Sequence, residues 1–166
     1  MIMNKFNLHT HSNFCDGAGE PEEYVLAAIE KGFHTLGFSS HAPVSFENNF
    51  AIKNNDKLQK YCQTIRGLAK NYQGRLSILL ALELDYIDGI SRDFSELKTA
   101  YGLDYTIGSV HLVRNGADER LWFIDGSRVE TYNDGLENIF GGDIRKAVTA
   151  FYNQQIRMLN TQKPDI

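Results

Sequence analysis

Cysteine is scarce in this chain: two in 166 residues, Cys15 and Cys62, far apart and in no CxxC pair. That excludes a disulfide framework and favours a reducing compartment. Long apolar runs are also missing. No stretch approaches the roughly 18 consecutive apolar residues that a membrane span requires, and Met1-Ile2-Met3-Asn4-Lys5 lacks the apolar core of a signal peptide. The expected location is the cytoplasm, with no membrane partner. Basic runs are absent too, and the formal net charge is −4, so no nucleic-acid surface is expected. An acidic balance still admits a phosphorylated substrate where metal ions supply positive charge locally. No repeat of fixed period and no low-complexity segment breaks the chain.

What the chain does have is enough apolar residue, 42%, for one domain with a sizeable core. Phe6-Asn7-Leu8 reads as a strand ending in His9-Thr10-His11, followed by a glycine-marked polar loop. Pro21, flanked by Glu20, Glu22 and Glu23, predicts a helix start, and Gly32 its end. Thr35 to Ser40 reads as a second strand leading into His41-Ala42-Pro43. A helix capped at Asn54 or Asn55 carries Leu58, Tyr61, Cys62, Ile65 and Leu68 at helical spacing, which makes Cys62 a packing residue.

Leu76 to Leu82 is the most continuous apolar run, as in a parallel strand covered on both faces, and it ends in Glu83-Leu84-Asp85. Ser91 is expected to cap a third helix that Gly102 closes. Asp104 to Val110 predicts a fourth strand ending in His111, and Leu121-Trp122-Phe123-Ile124 a fifth. Ser127-Arg128-Val129-Glu130 has the spacing of a capping box, for a helix broken by Gly141-Gly142. Asp143 is expected to cap a last helix to about Asn160, with Ile144, Val148, Phe151, Tyr152, Gln155 and Leu159 along it. Lys163-Pro164-Asp165-Ile166 reads as the approach to another strand.

Alternating strands and helices predict an α/β fold with a parallel sheet or barrel. Chemistry in such folds collects at the carboxyl ends of the strands. Those ends carry His9 and His11, then His41, then Glu83 with Asp85, then His111. Four of the five histidines therefore fall at one edge, and His34, at the start of its strand, falls at the other. His9 and His11 share one face of an extended strand, because side chains alternate with period two. Imidazoles and carboxylates converging from several strands describe a divalent-metal site better than a Ser-His-Asp triad.

At these residues the sequence resembles the polymerase and histidinol phosphatase (PHP) superfamily, most of all its stand-alone histidinol-phosphate phosphatases. The matching motifs are His9-Thr10-His11-Ser12 with Cys15-Asp16-Gly17, then Ser40-His41-Ala42-Pro43, Leu82-Glu83-Leu84-Asp85-Tyr86 and Gly108-Ser109-Val110-His111. The resemblance implies a distorted (β/α)7 barrel with up to three divalent ions, Zn, Mn or Fe. It implies that His9 and His11 hold the first metal, that Glu83 bridges to a second held by His111, and that His41 binds the remaining one. Asp16 is expected to join the ligands. Glu83 and His111 are expected at the catalytic centre, where water activated between metals attacks a small phosphomonoester, L-histidinol phosphate. The family's later Gly-His and Asp-x-His motifs have no counterpart here, since no histidine follows His111. The expectation is therefore a single PHP domain over 1–166, incomplete at its C-terminus, holding about the first five barrel strands. An open sheet edge in such a fragment is prone to self-association.

Arg114 and Arg157 are candidate contacts for the substrate phosphate, beside an ordinary surface role for each. Asp85 shares a strand face with Glu83 and is expected behind the ligands, holding an imidazole. Ser39, Ser40 and Ser109 are phosphate donors or small packing residues, and Cys15 is a small buried hydrophobe. Two other functions stay open: a PHP phosphoesterase acting on another phosphoester, and an inactive metal-binding fragment or accessory module.

Overall fold

Local chemistry sets the element boundaries. In the computed structural model, which describes residues 5–116, 119–126 and 128–166, helix α1 (Pro21–Glu30) begins at the proline, and the Glu23 carboxylate accepts from the Glu20 amide at 2.8 Å. Asn54 caps α2 (Asn55–Asn71) by accepting from the Lys57 amide at 2.9 Å, and Asp143 caps α5 (Ile144–Thr161) in the same way. Gly102 and Gly141 end α3 (Phe94–Tyr101) and α4 (Val129–Phe140) at positive φ, where an L side chain is strained.

One cap departs from expectation. Asp93, not Ser91, caps α3, accepting from the Glu96 amide. Ser91 instead accepts from the Ile87 amide and donates to the Asp85 carbonyl, which ties down the loop leaving β3. Ser127, expected in a capping box, lies outside the described residues.

Four strands, β1 (Lys5–Thr10), β2 (Phe33–Phe38), β3 (Ser77–Asp85) and β4 (Tyr105–Ser109), form one parallel sheet in sequence order. The expected fifth strand corrects differently. Trp122–Phe123 (β6) pairs antiparallel with Leu112–Val113 (β5), outside the parallel sheet, because only a short loop separates the two segments and a parallel crossover needs a dozen or more residues. The expectation for Lys163 to Ile166 fares better. The Ile166 amide donates to the Thr106 carbonyl, and Ile166 accepts from the Gly108 amide, so this residue extends the ladder beside β4.

The sheet's two faces separate by parity along β3. Ile78, Leu80, Leu82 and Leu84 join the large core beneath α1 and α2. Leu79 and Ala81 instead form a small inner cluster with Leu8, Tyr105 and Ile107. The sheet curls over that cluster far enough for the Tyr105 hydroxyl to donate to the Leu8 carbonyl, linking β4 to β1. Gly37 lies beneath: a methyl there would run into the Tyr105 hydroxyl and stand 3.1 Å from Leu8 Cα.

Along α5 the apolar pattern divides. Ala147, Gln154 and Met158 are buried, whereas Ile144, Val148, Tyr152, Ile156 and Leu159 are exposed. No helix among the described residues is long and apolar enough to cross a membrane.

Candidate metal centre

Glu83 and Asp85 continue the inner-face parity of Leu79 and Ala81, so β3 ends with two carboxylates on the concave side. Both are buried. Around them stand the histidines of three other strand ends. His9 Nε2 and His11 Nε2 each lie 3.0 Å from Glu83 Oε2 and 3.2 Å from one another. Ligand atoms about 2.0–2.2 Å from a shared ion stand roughly 3 Å apart. The spacing is that of one coordination shell.

A bulge in β1 makes this possible. Between Asn7 and Thr10 the strand advances three residues while β2 advances two, Leu36 to Phe38. The Asn7 side chain supports the irregularity, accepting from the His9 amide at 2.9 Å and donating to Thr10 Oγ1. Leu8 thereby stays in the inner cluster while His9 and His11 both reach Glu83.

His41 is held beside β3 by backbone bonds: Glu83 donates to the Ser40 carbonyl and Ala42 to the Glu83 carbonyl. Its Nδ1 lies 3.6 Å from Glu83 Oε2, and its Nε2 lies 3.7 Å from Asp16 Oδ2. Asp16 also approaches His11 Nδ1, at 2.8 Å. His111 Nδ1 donates to Asp85 Oδ1 at 2.6 Å, which turns Nε2 toward Glu83 Oε1 at 3.5 Å. Asp85 thus orients an imidazole from behind, as expected. Three overlapping ligand groups result: His9, His11 and Glu83; His11, Asp16 and His41; and His41, Glu83 and His111.

Electrostatics follow the same geometry. Burial pushes Glu83 up, but the hydrogen bond from His11 and the charges of His41 and His111 outweigh it, leaving the carboxyl at about 2. Burial pulls His11 down, and contacts with Cys15, Glu83 and Asp16 carry it up to about 11. His111 rises to about 9 against its own burial, chiefly through Asp85. Burial raises the Cys15 thiol, but His11, Ser40 and the His41 backbone together outweigh it and bring it down to about 7. Cys15 packs against the core as expected, partly and not fully buried, with its thiol within the influence of His11. Cys62 is pushed up to about 11 by burial in the core, as a packing thiol should be.

The donor set fits divalent cations. His41 Nδ1 is buried with no hydrogen-bond partner, and two imidazole Nε2 atoms face one carboxylate oxygen. Unpaired buried nitrogens are costly unless a cation takes their lone pairs.

The remaining candidates lie elsewhere or serve differently. Arg114 and Arg157 meet at Asp88: Arg114 donates to its carbonyl at 3.0 Å, and Arg157 pairs with its carboxylate. They line a cavity of about 240 Å³ that shares no lining residue with the one beside His41 and His111. Ser39 and Ser40 are fully buried and held by their backbone bonds to Thr10, Tyr61 and Glu83, and Ser109 donates to Asp85. His34 lies at the other end of the sheet, beside Gln73 and Gly74.

Several contributors escaped the sequence reading. Asp125 stands 3.5 Å from His111 Nε2. Its signal was available, an acid just after the apolar run 121–124, as Glu83 ends its own run. Phe50 and Phe123 stack at 5.7 Å and line the cavity of about 320 Å³ with Asp16, His41, His111 and Asp125. Gln154 donates to the carbonyls of Tyr86 and Leu112, satisfying two loop ends beneath the site. Nothing in its spacing marked it out.

Comparison with known proteins agrees with this geometry. The PHP domain model matches residues 7–159. The chain belongs to the PHP domain family. Over 122 residues this PHP domain is 36% identical to the histidinol-phosphatase of Bacillus subtilis (strain 168), covering 68% of the chain and 46% of the relative. A candidate histidinol phosphatase from Listeria monocytogenes superposes with a TM-score of 0.74 at 26% identity, covering 90% of this chain and 59% of that one. The histidinol phosphate phosphatase of Lactococcus lactis, solved with zinc, L-histidinol and phosphate, superposes at 0.54 with 26% identity, over 81% of this chain and 54% of that one. The PHP domain described here thus spans about half the length of the relatives it matches. Its four-stranded curled sheet corresponds to part of a PHP-type (β/α) barrel.

Proposed function

We propose that residues 1–166 act as a PHP-type, metal-dependent phosphomonoesterase unit whose substrate is L-histidinol phosphate. The observation that carries the reading is the convergence of His9, His11, His41 and His111 on the single carboxylate of Glu83. The relatives named as histidinol phosphatases, and zinc, L-histidinol and phosphate in one of them, support the choice of substrate.

In this reading His9, His11 and Glu83 would hold one cation, Glu83 and His111 another, and His41 with Asp16 a third, with Zn, Mn and Fe all suited to the mixed nitrogen and oxygen donors. When bound, such ions supply Lewis-acid charge for phosphoryl oxygens and make a water acidic enough to serve as nucleophile. The chain's own residues do the rest. Glu83, kept ionised at neutral pH, joins the ligand groups through its two oxygens. Asp85 fixes the direction of His111, so that its Nε2 faces the cluster and not the loop. Asp16 keeps His11 turned while Glu83 receives its other nitrogen. Arg114 and Arg157 are the cations we assign to the outer side of the phosphate, where a phosphate would displace the Asp88 carboxylate from Arg157 and the Asp88 carbonyl from Arg114.

The test is phosphate release from L-histidinol phosphate by the chain loaded in turn with Zn, Mn and Fe. Turnover is expected that falls to background in Glu83→Gln. No release with any of the three metals, or equal release by Glu83→Gln, overturns the reading.

A further inference from the structure

A cavity of about 380 Å³ opens on the outer face of β3, across the strand from the metal ligands. Its floor is Leu84, which follows Ile78, Leu80 and Leu82 onto that face, while Glu83 and Asp85 follow the inner one. Ala42, Ile87, Phe94 and Leu97 complete a buried apolar lining. Asp85 borders the cavity too, but its carboxylate is turned inward, with Oδ1 on His111 Nδ1 and Oδ2 3.5 Å from His41 Nδ1. No lining residue is shared with the cavity beside His41 and His111, or with the one at Arg114 and Arg157. Protein interiors are close-packed, so an apolar cavity of this size is large enough to take a small ligand.

Its walls are held by backbone and side-chain bonds. On one side the Ala42 amide donates to the Glu83 carbonyl at 2.9 Å, which fixes the chain entering Pro43 and Val44. On the other, Ser91 Oγ accepts from the Ile87 amide and donates to the Asp85 carbonyl, both at 2.6 Å. The Phe94 amide donates to Gln162 Oε1 at 3.0 Å, anchoring the start of α3. At the rim stands Arg92, exposed, and apart from Asp85 it is the only charged residue among those that border the cavity. Among the described residues its guanidinium makes no hydrogen bond or ion pair. The neighbouring Asp93 carboxylate is engaged elsewhere, accepting from Ser95 Oγ and the Glu96 amide to cap α3.

We infer that this cavity binds a small monocarboxylate with an aliphatic chain, the chain lying over Leu84, Phe94 and Leu97 and the carboxylate pairing with Arg92. A polar body would lose water to this lining without gaining partners. An unpaired guanidinium favours an anionic head over a neutral or cationic one. The site is separate from the metal centre, so the inference goes beyond the phosphatase reading and does not rest on it.

The experiment titrates butanoate, hexanoate and octanoate by calorimetry into the chain, first metal-free and then zinc-loaded with inorganic phosphate present. Saturable binding of octanoate is expected, with the same affinity in both conditions. Affinity should climb about fourfold for each methylene added, until the chain fills the cavity. Arg92→Gln should weaken octanoate about tenfold, the scale of one charge-assisted bond. Arg92→Glu should reverse the preference, so that octylammonium binds more tightly than octanoate. Both variants should fold as the wild type does, because Arg92 is exposed and supports no other residue. No saturable binding of octanoate, equal affinity along the series, or unchanged affinity in Arg92→Gln overturns the inference. Binding that needs zinc, or that phosphate abolishes, overturns it too, because the carboxylate would then sit on the metal. Phosphate release plays no part in the titration, so its failure bears on the hydrolase reading alone.

Discussion

Asp85 shows how a residue that touches no cation can govern the site. Its Oδ1 accepts a hydrogen bond from His111 Nδ1 at 2.6 Å, and also accepts from Ser109 Oγ and the His111 amide, so the imidazole has one direction. Asp85→Asn keeps the size and loses the charge. It should leave the fold intact and lower zinc affinity by about 10–100-fold, the usual cost of losing a carboxylate behind a ligating histidine; competition with a chromophoric chelator measures it. The raised values of His11 and His111, about 11 and about 9, mean that both rings hold protons at neutral pH when no cation competes. Metal uptake should therefore release protons, and affinity should climb as pH rises toward those values. Calorimetric zinc titrations in buffers of different ionisation enthalpy will count the protons released. A count of zero would contradict the geometry.

Single elements carry their own consequences. β2 can pass under Tyr105 only because Gly37 has no side chain. Gly37→Ala should cost about 1–3 kcal/mol, the usual range for overpacking a filled interior, measured by urea denaturation of the zinc-loaded protein. The C-terminal segment is pinned by one carboxylate: Asp165 accepts from the Thr106 amide and hydroxyl and pairs with Lys98 at 2.7 Å. The Lys98 ammonium, with the Thr106 donors, lowers its pKa below the ordinary 3.8. A depressed folded value stabilises above the unfolded value and is lost as pH falls through the folded one. Docking of Ile166 on β4 should therefore be complete above about pH 4 and loosen below it. Hydrogen exchange at the Gly108 amide, which donates to Ile166, reports it directly.

At the scale of the whole molecule, the outer line of α5 is an exposed apolar feature among the described residues, where Ile144, Val148, Tyr152, Ile156 and Leu159 are 42–58% exposed. Phe6, on the outer strand β1, is 66% exposed. Contiguous apolar surface of this kind drives association, and an outer strand adds unpaired backbone groups. Sedimentation should show concentration-dependent self-association, and Tyr152→Glu with Ile156→Lys should shift it toward monomer. Equal sedimentation of wild type and variant would mean that the α5 line is not the contact.

The sequence by itself determined the helix starts at Pro21, Asn54 and Asp143 and the strand-end placement of His9, His11, His41, Glu83 and His111. Those features depend on local rules, namely periodicity and capping, that one stretch of chain expresses alone. Only the tertiary structure decided the rest. The bulge at Leu8–His9, the exchange of Ser91 for Asp93 as a cap and the antiparallel β5–β6 pair each depend on a neighbour that local pattern does not name. The apolar period along α5 marked a helix but not which of its two apolar lines faces the core, because that choice belongs to the surface it packs against. Asp125, Phe50 and Phe123 became part of the site for the same reason: segments far apart in sequence were brought together by backbone bonds to His41 and His111.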